Sequence, residues 1–119
     1  MGKAQVSTIF SEVRDALNDA NATRWTNAKL YRYLFAAEQY TSGNHPECQY
    51  SDKVENPAPV LLTALTDYTT ISITHYPALV AYIVSRCFGE DSDDSGSMKQ
   101  SAFWMQQYRE FLGDTPTGR

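Results

Sequence analysis

Cysteine and histidine are scarce in this chain, and glycine is scattered. The two cysteines, Cys48 and Cys87, lie far apart, one in a proline-containing stretch and one among apolar residues. That pattern reads as reduced thiols rather than a disulfide framework. The 6 glycines nowhere form G-x-x-x-x-G-K, so a phosphate-cradling loop is not expected. Basic runs that grip phosphates are missing as well. With 14 Asp plus Glu against 10 Lys plus Arg, the net charge is -4 and the pI near 5.0, which disfavours sequence-directed DNA binding. The opening residues Met1-Gly2-Lys3-Ala4-Gln5-Val6-Ser7-Thr8 hold no apolar stretch of the roughly 7 to 15 residues that export needs. Val6 stands where myristoylation would want Ser or Thr. Asn21-Ala22-Thr23 fits a glycosylation sequon that carries no weight without a secretory signal. A cytoplasmic setting is the expectation, and a mean hydropathy of -0.46 gives no sign of a membrane protein.

What is present fits one globular domain spanning 1–119. At 13.4 kDa and 42% hydrophobic residues, folding should remove roughly two-thirds of the extended chain's surface and leave one core. From Ser7, Ile9, Phe10, Val13 and Leu17 recur at helical steps, which predicts a first helix capped by Ser7 and stopped in Asn18-Asp19-Ala20-Asn21. Thr26 sits at an N-cap position before Leu30, Leu34 and Ala37, a second helix running toward Tyr40 with Gly43 as its stop. The segment from Ser42 to Pro59 is rich in Pro, Gly, Asn and Ser and predicts an irregular loop. Beyond it, Val60-Leu61-Leu62 and Tyr68-Thr69-Thr70-Ile71-Ser72-Ile73 flank Thr66-Asp67 as a short hairpin or extended arm, so the whole insertion covers 41–74. Tyr76-Pro77 opens a third helix whose Leu79, Val80, Ile83, Val84, Cys87 and Phe88 make it the most buried. In a fourth, Trp104, Tyr108 and Phe111 share a face beside Met105 and Leu112, and the tail 113–119 should not fold alone. The expected class is mainly α: about four helices in a small bundle, with a long loop or short β-hairpin between the second and third.

No catalytic or metal signature stands out. His45-Pro46-Glu47-Cys48 is one loose cluster that Cys87 or His75 would have to complete, whereas structural zinc wants paired short-spaced ligands. The run from Asp91 imitates the start of a calcium loop, but Ala102 occupies the position of its bidentate Glu. Ser72-Ile73-Thr74-His75 lacks the elbow that exposes a nucleophilic serine, and Cys87 in an apolar stripe should be an inert thiol. The expectation is therefore no enzyme, no cofactor and no metal. An enzyme would need a cleft gathering His45, Cys48, His75 and the Asp91 run. The 8 tyrosines are more telling, since tyrosine is enriched where proteins meet. Tyr31, Tyr33, Tyr40, Tyr50 and Tyr68 are the candidate interface residues.

The stretch Arg24-Trp25-Thr26-Asn27-Ala28-Lys29-Leu30-Tyr31-Arg32-Tyr33-Leu34-Phe35-Ala36-Ala37-Glu38 resembles the run R-W-T-[D/N]-A-x-L-x-x-Y-L-x-x-A-[E/Q] of tailed-bacteriophage head-to-tail adaptor proteins, also called connector or head-completion proteins. Arg24, Trp25, Thr26, Leu30 and Leu34 carry that motif. Ile9-Phe10-Ser11-Glu12-Val13-Arg14-Asp15-Ala16-Leu17-Asn18-Asp19 is similar to the family's opening helix, Leu62 to Asp67 follows it, and Tyr76-Pro77-Ala78-Leu79-Val80-Ala81-Tyr82-Ile83 is like its Y-x-P-A-L-V-x-Y-[I/V] helix. The segment from Thr41 to Pro59 and the heavy acidic run from Glu90 to Asp94 depart from the pattern. The resemblance implies a structural virion protein at the neck between capsid and tail, made in the host cytoplasm. It would form a ring, typically of twelve copies, beneath the portal protein and carry the tail or further neck proteins. Double-stranded DNA would pass through without specific binding, so Glu90, Asp91, Asp93 and Asp94 are candidates to face the channel and repel phosphate. The 113–119 tail, with Asp114 and Arg119, or the Thr41–Pro59 loop would dock onto portal or tail. The alternative is a small cytoplasmic helical module that binds or regulates another protein.

Overall fold

The computed structural model describes residues 3–17, 25–44, 61–72, 75–90 and 95–112. In chain order the elements are β1 (Lys3–Gln5), α1 (Val6–Leu17), α2 (Asn27–Asn44), β2 (Tyr68–Ser72), α3 (Tyr76–Gly89) and α4 (Ser95–Phe111). The protein is mainly helical, as the periodicity predicts. α3 lies at the centre, touching α1, α2 and α4, and α4 packs chiefly on α3. Every side chain from Ala78 to Ser85 is buried, so this helix is enclosed on all sides.

α1 begins straight out of β1, one residue earlier than its apolar spacing indicates. Ser7 is exposed inside its first turn and does not cap it. The orphan amides of that turn are met from across the fold instead: Val6 N–H donates to the Asp67 carbonyl and Ser7 N–H to the Leu65 carbonyl, both at 3.0 Å. Thr26 does cap α2, its hydroxyl accepting the Lys29 N–H at 3.3 Å. Just before it, Arg14 Nη1 binds the Trp25 carbonyl at 2.8 Å and fixes the approach of α2 to α1. At the other end the expected glycine stop does not operate. α2 runs through Gly43 to Asn44, because Thr41 is buried inside the bundle and Asn44 Nδ2 covers the Tyr40 carbonyl at 3.0 Å. A Cβ at Gly43 would meet nothing within 4 Å, so no close approach calls for glycine there.

The extended segment expected between α2 and α3 is present, but its partner is different. β2 pairs antiparallel with β1, and residues 61 and 62 form no strand. The turn at Thr66-Asp67 is real: Asp67 N–H donates to the Ala64 carbonyl at 3.0 Å, and Asp67 Oδ2 accepts the amides of Thr63 at 3.3 Å and Ala64 at 3.1 Å. A strand arriving from the N-terminus competes successfully for β2 because α1 must start beside it. Between α3 and α4 the helices come close through small residues. Ser85 Oγ donates to the Ser101 carbonyl at 2.8 Å and Ser101 Oγ returns a bond to the Ser85 carbonyl at 2.9 Å.

Candidate assembly surfaces

Aromatic side chains divide into those the fold consumes and those it leaves outside. Tyr108 is buried, its hydroxyl paired with Thr41 Oγ1 at 2.8 Å. Tyr82 packs edge-on against it at 5.4 Å and receives a hydrogen bond from Arg86 Nη1 at 3.1 Å. Tyr76 donates to Glu12, a bond that raises its phenol above the ordinary value. Tyr31 is half-buried against Phe10 at 5.0 Å, and Tyr33 is half-buried beneath the Arg86 guanidinium at 5.3 Å. Two of the described tyrosines, Tyr82 and Tyr108, are thus core residues with partnered hydroxyls, and Tyr31, Tyr33 and Tyr76 are half-buried. Of the candidate interface tyrosines, Tyr40 and Tyr68 are exposed, at 54% and 60%. Tyr40 is only partly free, since its ring lies 5.9 Å from Tyr108. Tyr50 lies outside the described residues, as do Asp114 and Arg119.

Besides Tyr40, large apolar side chains reach solvent on two elements. On α4, Met98, Phe103 and Phe111 are about half exposed, and Phe103 stacks edge-on with Trp104 at 5.6 Å. Phe111 thus turns outward instead of sharing the buried face of Tyr108 as its spacing indicates. The second is the arm before β2, where Leu61 and Leu65 are exposed near Tyr68 in sequence. An open cleft of about 490 Å³ runs along one flank of α4, bounded by Met98, Ala102, Met105, Tyr33, Arg86 and Glu90.

The charge pattern differs from a bare acidic face. Glu90 follows α3 and forms an ion pair with Lys29 Nζ at 2.9 Å, while the same ammonium lies 5.5 Å from the Trp25 ring. Asp91, Asp93 and Asp94 lie outside the described residues, as does Arg24 of the motif. The rest of that motif is core: Trp25, Leu30 and Leu34 are buried. His75 precedes α3 without a side-chain cap bond, and Cys87 is a buried thiol outside any disulfide. His45 and Cys48 lie outside the described residues. Among the described residues no group of three or more His, Cys, Asp or Glu is placed to hold a metal, and no helix is long and apolar enough to cross a membrane.

Sequence reasoning missed one residue of consequence. Glu38 closes the quoted motif, and its helical position puts it inside, at 1% exposure. Its Oε1 accepts the Thr70 N–H at 2.8 Å and the Thr70 hydroxyl at 2.9 Å, while Oε2 is buried without a hydrogen-bond partner. Burial pushes this carboxyl above the usual carboxylate range, and the two Thr70 bonds pull it back in part. The available signal was its register: Leu30, Leu34 and Glu38 are spaced four apart on one stripe. Comparisons of the chain with protein-family models, with curated proteins and with solved structures find no match.

Proposed function

We propose that this chain is a head-to-tail adaptor of a tailed bacteriophage, a virion neck protein that forms a ring beneath the portal, extends the DNA channel and receives the tail. The observation that carries the reading is the order of its motif segments from Ile9 to Ile83, which resembles that family across most of the chain. The placement of exposed apolar side chains supports it. A closed ring needs two different patches per subunit, one meeting the next copy and one meeting the previous. Exposed apolar side chains lie on α4 (Met98, Phe103 and Phe111) and on the arm (Leu61, Leu65 and Tyr68), and these are the candidates for the two contacts. Portal and tail proteins are the other partners, and double-stranded DNA is cargo rather than ligand, in keeping with the net charge of -4.

The test is electron cryomicroscopy of the purified protein mixed with the portal ring of the same virion. A second ring stacked on the portal supports the reading, and its subunit number follows directly. Replacing Phe103 and Phe111 together by Ser should abolish the stacked ring while the monomer still folds cooperatively with a modestly lowered unfolding midpoint, because each side chain is about half exposed. Failure to bind, under conditions where other neck proteins bind that portal, favours the alternative of a small helical module that binds or regulates another protein.

A further inference from the structure

The two-stranded ribbon is irregular at one place. Between the pairs Lys3↔Ser72 and Gln5↔Tyr68, two steps along β1 face four along β2. β2 therefore carries extra residues across Thr69–Ile71 whose amides cannot all reach β1. The amide of Ile71 turns to the hydroxyl of Thr69 at 3.2 Å, and both the amide and the hydroxyl of Thr70 turn to Glu38 Oε1. The Thr70 carbonyl accepts Lys3 Nζ at 2.9 Å. Thr70, inside this irregular stretch, is thus held to α2 by the Glu38 carboxyl.

That carboxyl is buried, and its second oxygen has no hydrogen-bond partner. Both of its bonds come from β2. From β1, the ammonium of Lys3 binds the far side of Thr70. From α4, the Tyr108 phenol is bonded to Thr41, one turn along α2. From α3, Tyr82 stands in the same aromatic group, with the Arg86 guanidinium on its hydroxyl and over Tyr33. The two Thr70 bonds favour the charged form, but burial, with Oε2 unpartnered, makes a full negative charge on Glu38 more costly than those bonds offset, and the neutral acid still accepts both Thr70 donors at Oε1.

We propose that Glu38 is a protonation-controlled latch: the β1–β2 ribbon stays closed on α2 while the carboxyl is neutral and detaches locally, with the helices still folded, when it ionises. Opening hydrates the carboxyl and returns its acidity toward that of an exposed glutamate. Across the window between the open and closed titrations, the opening equilibrium should therefore rise by up to about tenfold per pH unit. The ribbon also adjoins the Leu65 and Asp67 carbonyls that cap α1, so its release frees the exposed Leu65 and Tyr68 from their present positions.

The test is amide hydrogen exchange by NMR on the full chain over a pH series, corrected for intrinsic exchange, for the wild type and Glu38→Gln. In the wild type the Thr70 and Ile71 amides should lose protection as pH rises, while those of Leu79 to Val84 in α3 do not. In Glu38→Gln, which cannot ionise, the ribbon's protection should be independent of pH. Equal pH dependence in both proteins, or loss of α3 protection in step with the ribbon, overturns the proposal. Should Glu38→Gln fold poorly, the wild-type carboxyl is followed directly by carbon-13 NMR. Titration above the ordinary glutamate range, coincident with ribbon opening, supports the latch, and titration within the ordinary range overturns it.

Discussion

The apolar layer around α3 and the seam where α2, β2 and α4 meet are equally dry, but they are built from opposite materials. Ile9, Val13, Leu79 and Ile83 fill the first with hydrocarbon alone and are fully buried. Glu38, Thr41, Thr69 and Tyr108 fill much of the second, each with hydrogen-bonding atoms inside. Hydrocarbon burial is non-directional and tolerates small shifts, so the first layer supplies free energy without dictating orientation. Buried polar groups are costly unless their partners sit at fixed distances. The seam therefore specifies where β2 and α4 rest against α2, and the α3 layer makes resting there favourable.

Breaking the apolar side should have the largest effect. Ile83→Ala removes three buried carbons from the centre of α3 and should cost about 3 to 4 kcal/mol. Chemical denaturation should show a lower midpoint with an unchanged slope. A cost near that of a surface substitution would mean that α3 is not the centre of the core.

On the polar side a smaller, partner-dependent loss is expected. Tyr108→Phe leaves Thr41 Oγ1 buried without its 2.8 Å partner and should cost about 1 to 2 kcal/mol. Thr41→Val alone should cost a similar amount by removing the Thr41 partner of the Tyr108 hydroxyl. The double variant loses the same shared bond only once, so it should be less destabilised than the two single losses added together. Strict additivity would show that the bond contributes nothing of its own and that the seam behaves like the apolar layer.

These two regions were unequally legible in the sequence. Helical periodicity reports which positions are apolar, and it placed α1, α3 and the Leu30–Leu34–Ala37 stripe of α2 within a residue or two. It is silent about polar atoms inside. Glu38 continues the Leu30–Leu34 stripe, yet an acidic residue is ordinarily read as solvated, and only the strand irregularity across Thr69–Ile71 creates the donors that bring it in. The pairing of β2 with β1 is long-range, and no local turn signal encodes it. Tyrosine composition pointed outward, but Tyr82 and Tyr108 are core residues because Arg86 and Thr41 await their hydroxyls. For the candidate surfaces, Tyr40 and Tyr68 were legible by residue type, whereas the outward turn of Phe111 was not.

Glu38→Gln sharpens the contrast through pH. The folded carboxyl is held above its unfolded value by burial, so the native state binds the proton more tightly. The wild type's stability should fall as pH rises from the unfolded glutamate value through the folded one, then level off. Glu38→Gln removes that slope, so the two proteins should differ differently at acid pH and at neutrality. Unfolding midpoints measured across pH check this, and parallel curves would mean that Glu38 ionises without cost where it sits.

The smallest effect belongs to the charge pair outside both regions. The Lys29 and Glu90 side chains keep 45% and 29% of their surface exposed, so water screens their 2.9 Å contact. Glu90→Gln should change stability by less than about 0.5 kcal/mol, and high salt should erase the difference. Lys29→Ala should cost slightly more, since it also removes the cation from above Trp25. If Glu90→Gln instead approaches the cost of Tyr108→Phe, the junction of α2 with the end of α3 is as specified as the buried seam. A small effect leaves Glu90 energetically idle in the monomer. In an assembled ring Lys29 beside it would weaken Glu90 as a repulsive site for DNA, because a carboxylate paired with an ammonium presents little field to a phosphate.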